Sequence, residues 1–419
     1  VGQGTFVAAR GPRAAAPAAG GGGFAWEGLL ASRTRWLLWP PGAAAPKEIR
    51  FDFRPGGVDA YSAPQLELRR AFSRALARHG RALAAHRDPL GWPPLREAVA
   101  RALVARGIAA SSDQVLITSG AQQALDLIGR CLVDPGDAVA LEQPGYFSAA
   151  LAFASSGAHL LGIPVDERGL RTDVLARLLR TRRVKLVYTT PAAQCPTGVV
   201  LDDARREELL ALADEHQTPI VEDDYDSELR VGAAPMPALK TCDPDGRVLY
   251  AGTYSKATLP GMRVGYLVAP QPLLQRMVLA RLASDFGTNA IAQAAIVEML
   301  ASGDLERHVR RVRKLYAARL RALDAALREA LPDDARWQLP AAGSALWLRL
   351  PRAADPDRVW RGLLDAGIAA VRGDVFHVDG AGRDHLHLGV ANLDEAGLAE
   401  GAALLGRVVK RAARKRRAA

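Results

Sequence analysis

Cysteine is nearly absent: 419 residues hold only Cys131, Cys195 and Cys242, with no pair at the spacing of a disulfide framework or a zinc site. That scarcity excludes both devices, so no metal site is expected, and it points to a reducing compartment, the cytoplasm. Long apolar runs are missing as well. The stretch from Gln143 to Val165 carries no formal charge, but Pro144, Pro164 and several Gly and Ser interrupt it, so no membrane span is expected. There is no internal repeat, no visible signal peptide and no initiator methionine; the last of these places the first residue inside a longer protein. Negative charge is in deficit, 45 Asp and Glu against 55 Lys and Arg, for a net charge of +10. Much of the excess sits in Lys410, Arg411, Arg414, Lys415, Arg416 and Arg417, a basic tail over 406–419. It could touch DNA phosphates without reading sequence, but a solvated arginine-rich terminus explains it more simply.

What is present supports a large core built from alternating elements. Apolar runs at 114–118, 138–141, 184–189, 218–222, 247–251 and 264–268 read as strands, with helical stretches between them. Such alternation predicts an α/β fold, a mostly parallel sheet covered by helices. From Ile291 to Leu331 the pattern turns helical with a dense arginine face, and 347–350 and 386–390 read as strands of a smaller α+β domain. A large domain over 49–290 and a small C-terminal one over 291–405 follow, within the length that two cores need. Ahead of them, residues 9–23 are almost wholly Ala, Gly, Pro and Arg and read as a flexible linker. Trp26, Leu29, Leu30, Trp36, Leu37, Leu38 and Trp39 then form an apolar docking segment, so that 9–48 is linker and dock together.

Chemistry concentrates where strands end. Lys256 lies in Gly-Thr-Tyr-Ser-Lys-Ala-Thr-Leu-Pro-Gly-Met-Arg-Val-Gly-Tyr (252–266), directly after the apolar run 248–251. A strand ending in small hydroxyl residues can hold the amine at a pocket rim, and Arg263 supplies a fixed cation close by. Lysine forms Schiff bases, and desolvation or a neighbouring cation favours its free amine. The pair fits an aldehyde cofactor that carries a phosphate, pyridoxal phosphate (PLP), with a surface lysine at a strand end as the plainer alternative. In Glu222-Asp223-Asp224-Tyr225, alternation along an extended chain puts Asp223 and Tyr225 on one face and Asp224 on the other. Asp223 can keep a pyridine nitrogen protonated and Tyr225 can donate to the ring's phenolic oxygen, although an acidic helix start would also explain the run. In Thr118-Ser119-Gly120-Ala121-Gln122, the spacing of Ala121, Leu125 and Ile128 starts a helix near Gly120, whose free amides make an anion site.

Taken in order, these segments resemble the fold-type I PLP enzymes, the aspartate aminotransferase superfamily, from about Phe53 to about Leu404. Asp88-Pro89-Leu90-Gly91 with Arg96, Asp134-Pro135-Gly136-Asp137, Glu142-Gln143-Pro144-Gly145-Tyr146 and Pro196-Thr197-Gly198 add to the likeness. The resemblance implies that Lys256 bonds the cofactor as an imine, that Asp223 pairs with the pyridine nitrogen and that Tyr225 bonds the ring oxygen. It implies a phosphate held by Arg263 and the amides of Ala121 and Gln122, with Tyr146 stacked on the ring; Tyr146 is equally readable as a core aromatic. Ser119, Gly120, Cys195, Thr253 and Ser255 complete the implied cofactor-binding set, and a homodimer with the cofactor near its interface is implied too. The acidic run 222–228 is similar to that of the MocR/GabR group, transcription regulators that fuse a GntR-type winged helix-turn-helix to an aminotransferase-like domain. Residues 1–8, Val-Gly-Gln-Gly-Thr-Phe-Val-Ala, resemble the closing wing strand of such a DNA-binding domain, though any hairpin strand could carry them.

Departures from the family pattern matter as much as the matches. Aminotransferases take the substrate α-carboxylate on a strand arginine, and His387 of Leu386-His387-Leu388-Gly389 aligns there. Imidazole lacks the guanidinium fork and is mostly neutral at pH 7. Arg372 or Arg383 could compensate, which makes His387 and Arg372 the substrate-side candidates. Cys195 stands where the family's Asn-Pro-Thr-Gly turn has asparagine, and His86 where a tyrosine reaches the neighbouring subunit's cofactor. The resemblance thus implies a sensor of a small amino compound, working by imine exchange at Lys256 and relaying the change through the linker to a DNA-binding domain that precedes this chain. A working aminotransferase, with Lys256 as proton shuttle, is the alternative, and a ligand-free dimerisation scaffold is the third reading.

Overall fold

The computed structural model describes residues 29–31, 41–59, 62–86, 88–226, 238–243 and 245–414. The wing resemblance at 1–8, most of the linker and dock, and residues 415–419 of the basic tail lie outside the described residues.

In chain order the strands are β1 (Phe51–Asp52), β2 (Val115–Thr118), β3 (Ala138–Gln143), β4 (His159–Asp166), β5 (Gly169–Leu170), β6 (Val184–Thr189), β7 (Ile220–Asp224), β8 (Val248–Thr253), β9 (Gly265–Val268), β10 (Ala345–Arg349), β11 (Ile368–Ala369), β12 (Val371–Arg372) and β13 (His385–Gly389). Strands β2 to β9 form one large sheet in the order β2-β9-β8-β7-β6-β3-β4-β5. Its centre is parallel, while β9 and β5 run antiparallel to their neighbours. Each apolar run foreseen as a sheet strand is one, within a few residues. The strands of this sheet not foreseen are β4 and the two-residue β5; β4 is mostly half-exposed, and Gly162 and Pro164 interrupt its apolar residues.

The sheet is covered on both faces, and alternate residues feed opposite cores. Val115, Ile117, Tyr250, Tyr266 and Val268 pack against the helices Gln65–Ala85, Pro93–Ala105 and Ala290–Ala301. Leu116, Val221, Leu249, Ala251 and Leu267 pack against the helices Ala121–Leu132 and Gln271–Leu282 on the other side. A second core belongs to the sheet β10-β13-β12, around Leu346, Leu348, Leu386 and Leu388. The long helix Asp304–Ala330 bridges the two, with Leu305 and Val309 in the first core and Val312 to Leu327 in the second.

Two boundaries differ from the sequence reading. β1 pairs with β11 and Phe53 is fully buried in the smaller core, so the chain enters the small domain before it builds the large one. The basic tail is, through Arg414, the end of the helix Glu395–Arg414. Its buried residues Leu398, Ala402, Leu405, Val409 and Ala412 recur at helical spacing and dock it on the small-domain core. Among the described residues, no helix is long and apolar enough to cross a membrane.

Candidate functional site

The site lies at the carboxyl ends of the central strands, where open α/β sheets place their ligands. Register brings the pieces together: Asp224 of β7 lies beside Gly252 of β8, Thr253 beside Gly265 of β9, and Gly265 beside Thr118 of β2. A side chain on Gly265 would come within 2.7 Å of the Gly120 backbone, so glycine is what lets these chain segments close up. Lys256 follows directly on β8. Its Nζ lies 5.8 Å from the centroid of the Tyr225 ring and 3.9 Å from where a Cβ on Gly56 would sit.

The two adjacent aspartates diverge as strand alternation requires. Asp223 is buried; its Oδ2 accepts from the Tyr188 hydroxyl at 2.9 Å, while its Oδ1 is buried with no hydrogen-bond partner. Burial pushes its carboxyl up to about 7, helped by the charges of Asp224 and Glu142. Asp224 turns the other way and accepts from Arg106 Nη2 at 2.7 Å and from the Tyr250 hydroxyl. Glu222 is structural: it accepts the backbone N–H groups of Leu239 at 2.9 Å and Lys240 at 3.0 Å. An orphaned carboxylate oxygen in a dry site fits a donor supplied by a ligand, and a protonated pyridine nitrogen is such a donor.

The anion side is equally incomplete without a ligand. The helix Ala121–Leu132 begins at Gly120, which has φ 80° and no side-chain cap, so its first amides are open. A Cβ on Gly120 would lie 2.8 Å from Arg263 Nη2. Arg263 itself takes the left-handed conformation, φ 49°, and donates to the Ser119 carbonyl at 2.7 Å. Ser255 Oγ and Gln122 Oε1 are buried without partners, and Thr253 Oγ1 receives the Ser255 N–H at 3.1 Å. Tyr146 is half-buried among these groups; burial raises its hydroxyl pKa, and the charges of Asp223 and Arg263 both reach it. The guanidinium, the uncapped helix start and the lone hydroxyl fit a phosphate.

The structure therefore gathers Lys256, Asp223, Tyr225, Arg263, Ser119, Gly120, Ala121, Gln122, Tyr146, Thr253 and Ser255 at one place. Cys195 joins them: it is buried, burial pushes its thiol up to about 12, and the charge of Lys256 reaches it. The hydrogen-bonding centre of its turn is the preceding residue. Gln194 Nε2 donates to the Pro144 carbonyl at 2.7 Å, and Thr197 Oγ1 donates to Gln194 Oε1 at 2.6 Å.

On the substrate side, His387 of β13 is buried between Phe376, 5.0 Å away by ring centroids, and Trp347, 6.0 Å away. Burial pushes its imidazole down to about 3, with the Lys256 charge adding, so it is neutral at pH 7. Arg372 does not reach toward it as a free clamp. It is buried in a two-pronged pair with Asp374, at 3.0 and 2.6 Å, and donates to Asp357 at 2.8 Å. Arg383 is exposed and pairs with Asp357 at 3.6 Å. His86 caps the helix Gln65–Ala85 and packs edge-on against Trp92 at 5.3 Å.

Sequence reasoning missed Tyr188 and Asp226. Tyr188 ends β6 as one more apolar strand residue, and only the sheet order reveals that its hydroxyl meets Asp223. Asp226 looked like one more acid in an acidic run. It is buried, with Oδ1 lacking any partner, and burial raises its carboxyl to about 6 against the opposing pull of Lys256.

The model of the aminotransferase class I and II family matches residues 59–405. An aromatic-amino-acid aminotransferase of Thermococcus litoralis is 34% identical over 76% of this chain and 78% of its own length. The probable rhizopine catabolism regulatory protein MocR of Rhizobium meliloti is 34% identical over 88% of this chain and 73% of its own. The solved structure of α-aminoadipate aminotransferase from Thermus thermophilus, complexed with N-(5'-phosphopyridoxyl)-L-leucine, superposes with a TM-score of 0.84 at 32% identity, covering 93% of this chain and 99% of that one.

Proposed function

The chain belongs to the class I and II aminotransferase family, and on that premise we propose that it is the PLP-binding effector domain of a MocR-type transcription regulator, sensing a small amino compound. The observation that carries the cofactor half of this reading is the buried, unpartnered Oδ1 of Asp223 opposite an uncapped helix start with a guanidinium. The regulator half rests on the regulatory relatives and on a substrate side whose arginines are already committed to carboxylates.

When bound, PLP supplies an electrophilic carbon and a conjugated ring that stores electrons. Lys256 would hold that carbon through Nζ, and Asp223 Oδ1 would accept the pyridinium N–H. Tyr225 would donate to the ring oxygen. Arg263, Ser255 Oγ and the amides of Ala121 and Gln122 would hold the phosphate. The amine of the sensed compound would take the place of Lys256, whose freed Nζ stays beside Tyr225. Trp347, Phe376 and His387 belong to the small domain, so a ligand seated against them biases closure of that domain on the large one. The change would pass through the linker to a winged helix ahead of residue 1, in a cytoplasmic homodimer.

Visible absorbance of the PLP-loaded chain tests this. A cofactor band that shifts with an amino compound, without release of an oxo acid, supports the sensor. Steady release of an oxo acid establishes an aminotransferase in its place.

A further inference from the structure

We infer that the compound taken by this site is an aliphatic amine with a second cationic group and no α-carboxylate, its distal ammonium held by Asp226. The inference rests on the proposed role of Lys256 as the point where the amine reacts, and it names the ligand class.

First, the arginines that the described residues place on this side are each paired with a carboxylate or a carbonyl. His387 of β13 carries a neutral ring with Nδ1 unpartnered. Arg372 is saturated by Asp374 and Asp357, and Arg383 pairs with Asp357 at the surface. Arg319, buried on this side, pairs with Asp59 at 3.5 Å and donates to the Ala391 carbonyl at 3.0 Å, with its Nε left without a partner. Arg263 lies at the phosphate end, on the Ser119 carbonyl. A carboxylate bound on this side would lie near the buried carboxyls of Asp223 and Asp226, which disfavours it.

Second, a cation finds a carboxylate. Asp226 is buried with Oδ1 unpartnered, and a Cβ on Gly343 would lie 2.8 Å from its Oδ2, so it faces the turn that leads into β10. Trp347 on that strand is the cross-strand partner of His387. Tyr225, which neighbours Asp226 in the chain and lies under Lys256 Nζ, packs in one cluster with Trp347 and Phe376, the two rings that flank His387. The buried, unpartnered Oδ1 of Asp226 is open to a ligand ammonium, and Trp347 and Phe376 give the methylene chain an apolar, cation-tolerant wall.

The test is titration of the PLP-loaded chain with 1,4-diaminobutane, ornithine and butylamine, read by the visible band and by calorimetry. Ornithine is the diamine plus an α-carboxylate, and butylamine is the diamine minus its second cation. The diamine should bind at least tenfold tighter than either. Asp226→Asn should erase its advantage over butylamine, and His387→Arg should raise the affinity for ornithine. Should Asp226→Asn fail to fold, the wild-type chain still decides: the diamine-to-butylamine ratio should fall as pH drops below about 6, where Asp226 takes up its proton. Ornithine binding as tightly as the diamine, or a ratio unmoved by both Asp226→Asn and pH, overturns the inference. A chain that holds no PLP overturns the reading of the site and the inference with it, whereas a loaded chain that prefers ornithine overturns the inference alone.

Discussion

Asp223 and Asp224 are neighbours with opposite duties, and substitutions should separate them. Asp223→Asn removes the charge meant for the pyridinium and should lower PLP affinity at least tenfold while leaving the fold intact, as read by fluorescence titration and circular dichroism. Asp224→Ala strands Arg106 and Tyr250, whose shared acceptor it is. We expect a loss of about 3 kcal/mol in urea unfolding, because removing one partner of a buried ion pair leaves the other uncompensated. From the sequence, Asp224→Ala is expected to change PLP binding little; alternation placed Asp224 on the far face but did not show that Arg106 and Tyr250 wait there. Lys256→Ala should abolish the visible cofactor band that survives dialysis, and a band that persists would sink the assignment.

At the scale of the element, the strand–glycine–helix turn at 118–121 is the sensitive joint. Gly120 combines a left-handed φ of 80° with the approach of Arg263 to 2.8 Å from any Cβ. Gly120→Ala should therefore push the guanidinium away and weaken binding of PLP, and of free phosphate, about tenfold or more, with a stability loss on the order of 1–2 kcal/mol. Calorimetry with inorganic phosphate separates the two effects. The helix start was legible from apolar spacing. The reason for glycine was not, because the guanidinium that crowds it comes from a residue remote in sequence and is brought there by β9 pairing with β2.

For the molecule as a whole, four buried carboxyls carry raised pKa values: Glu222 and Asp223 at about 7, Asp226 at about 6, and Glu142, which burial also pushes up. Folded, they hold protons that the unfolded chain releases near pH 4, so each withdraws stability as pH rises through that window. His387, pushed down to about 3, acts oppositely and withdraws stability as pH falls below about 6.5. The PLP-free chain should therefore gain melting temperature from Asp223→Asn progressively from about pH 4 to about pH 7. With saturating PLP the gain should disappear or reverse, since the pyridinium then needs the charge. A pH-independent difference would show that Asp223 is ionised throughout.

The α/β class, the sheet strands and the grouping of Lys256, Asp223 and Arg263 at strand ends were readable in the sequence because buried parallel strands are continuous apolar runs and because anion and imine chemistry each need particular residue types at strand ends. Strand alternation even fixed that Asp223 and Asp224 point to opposite faces. What only the tertiary structure decided is which charges are spare. Arg372 looked like a clamp until Asp374 and Asp357 were found on it, and Asp226 looked like solvent-facing acid until its burial beside Lys256 was visible. Pairing and desolvation depend on residues far apart along the chain, so no local pattern records them, yet they decide which ligand the site can accept.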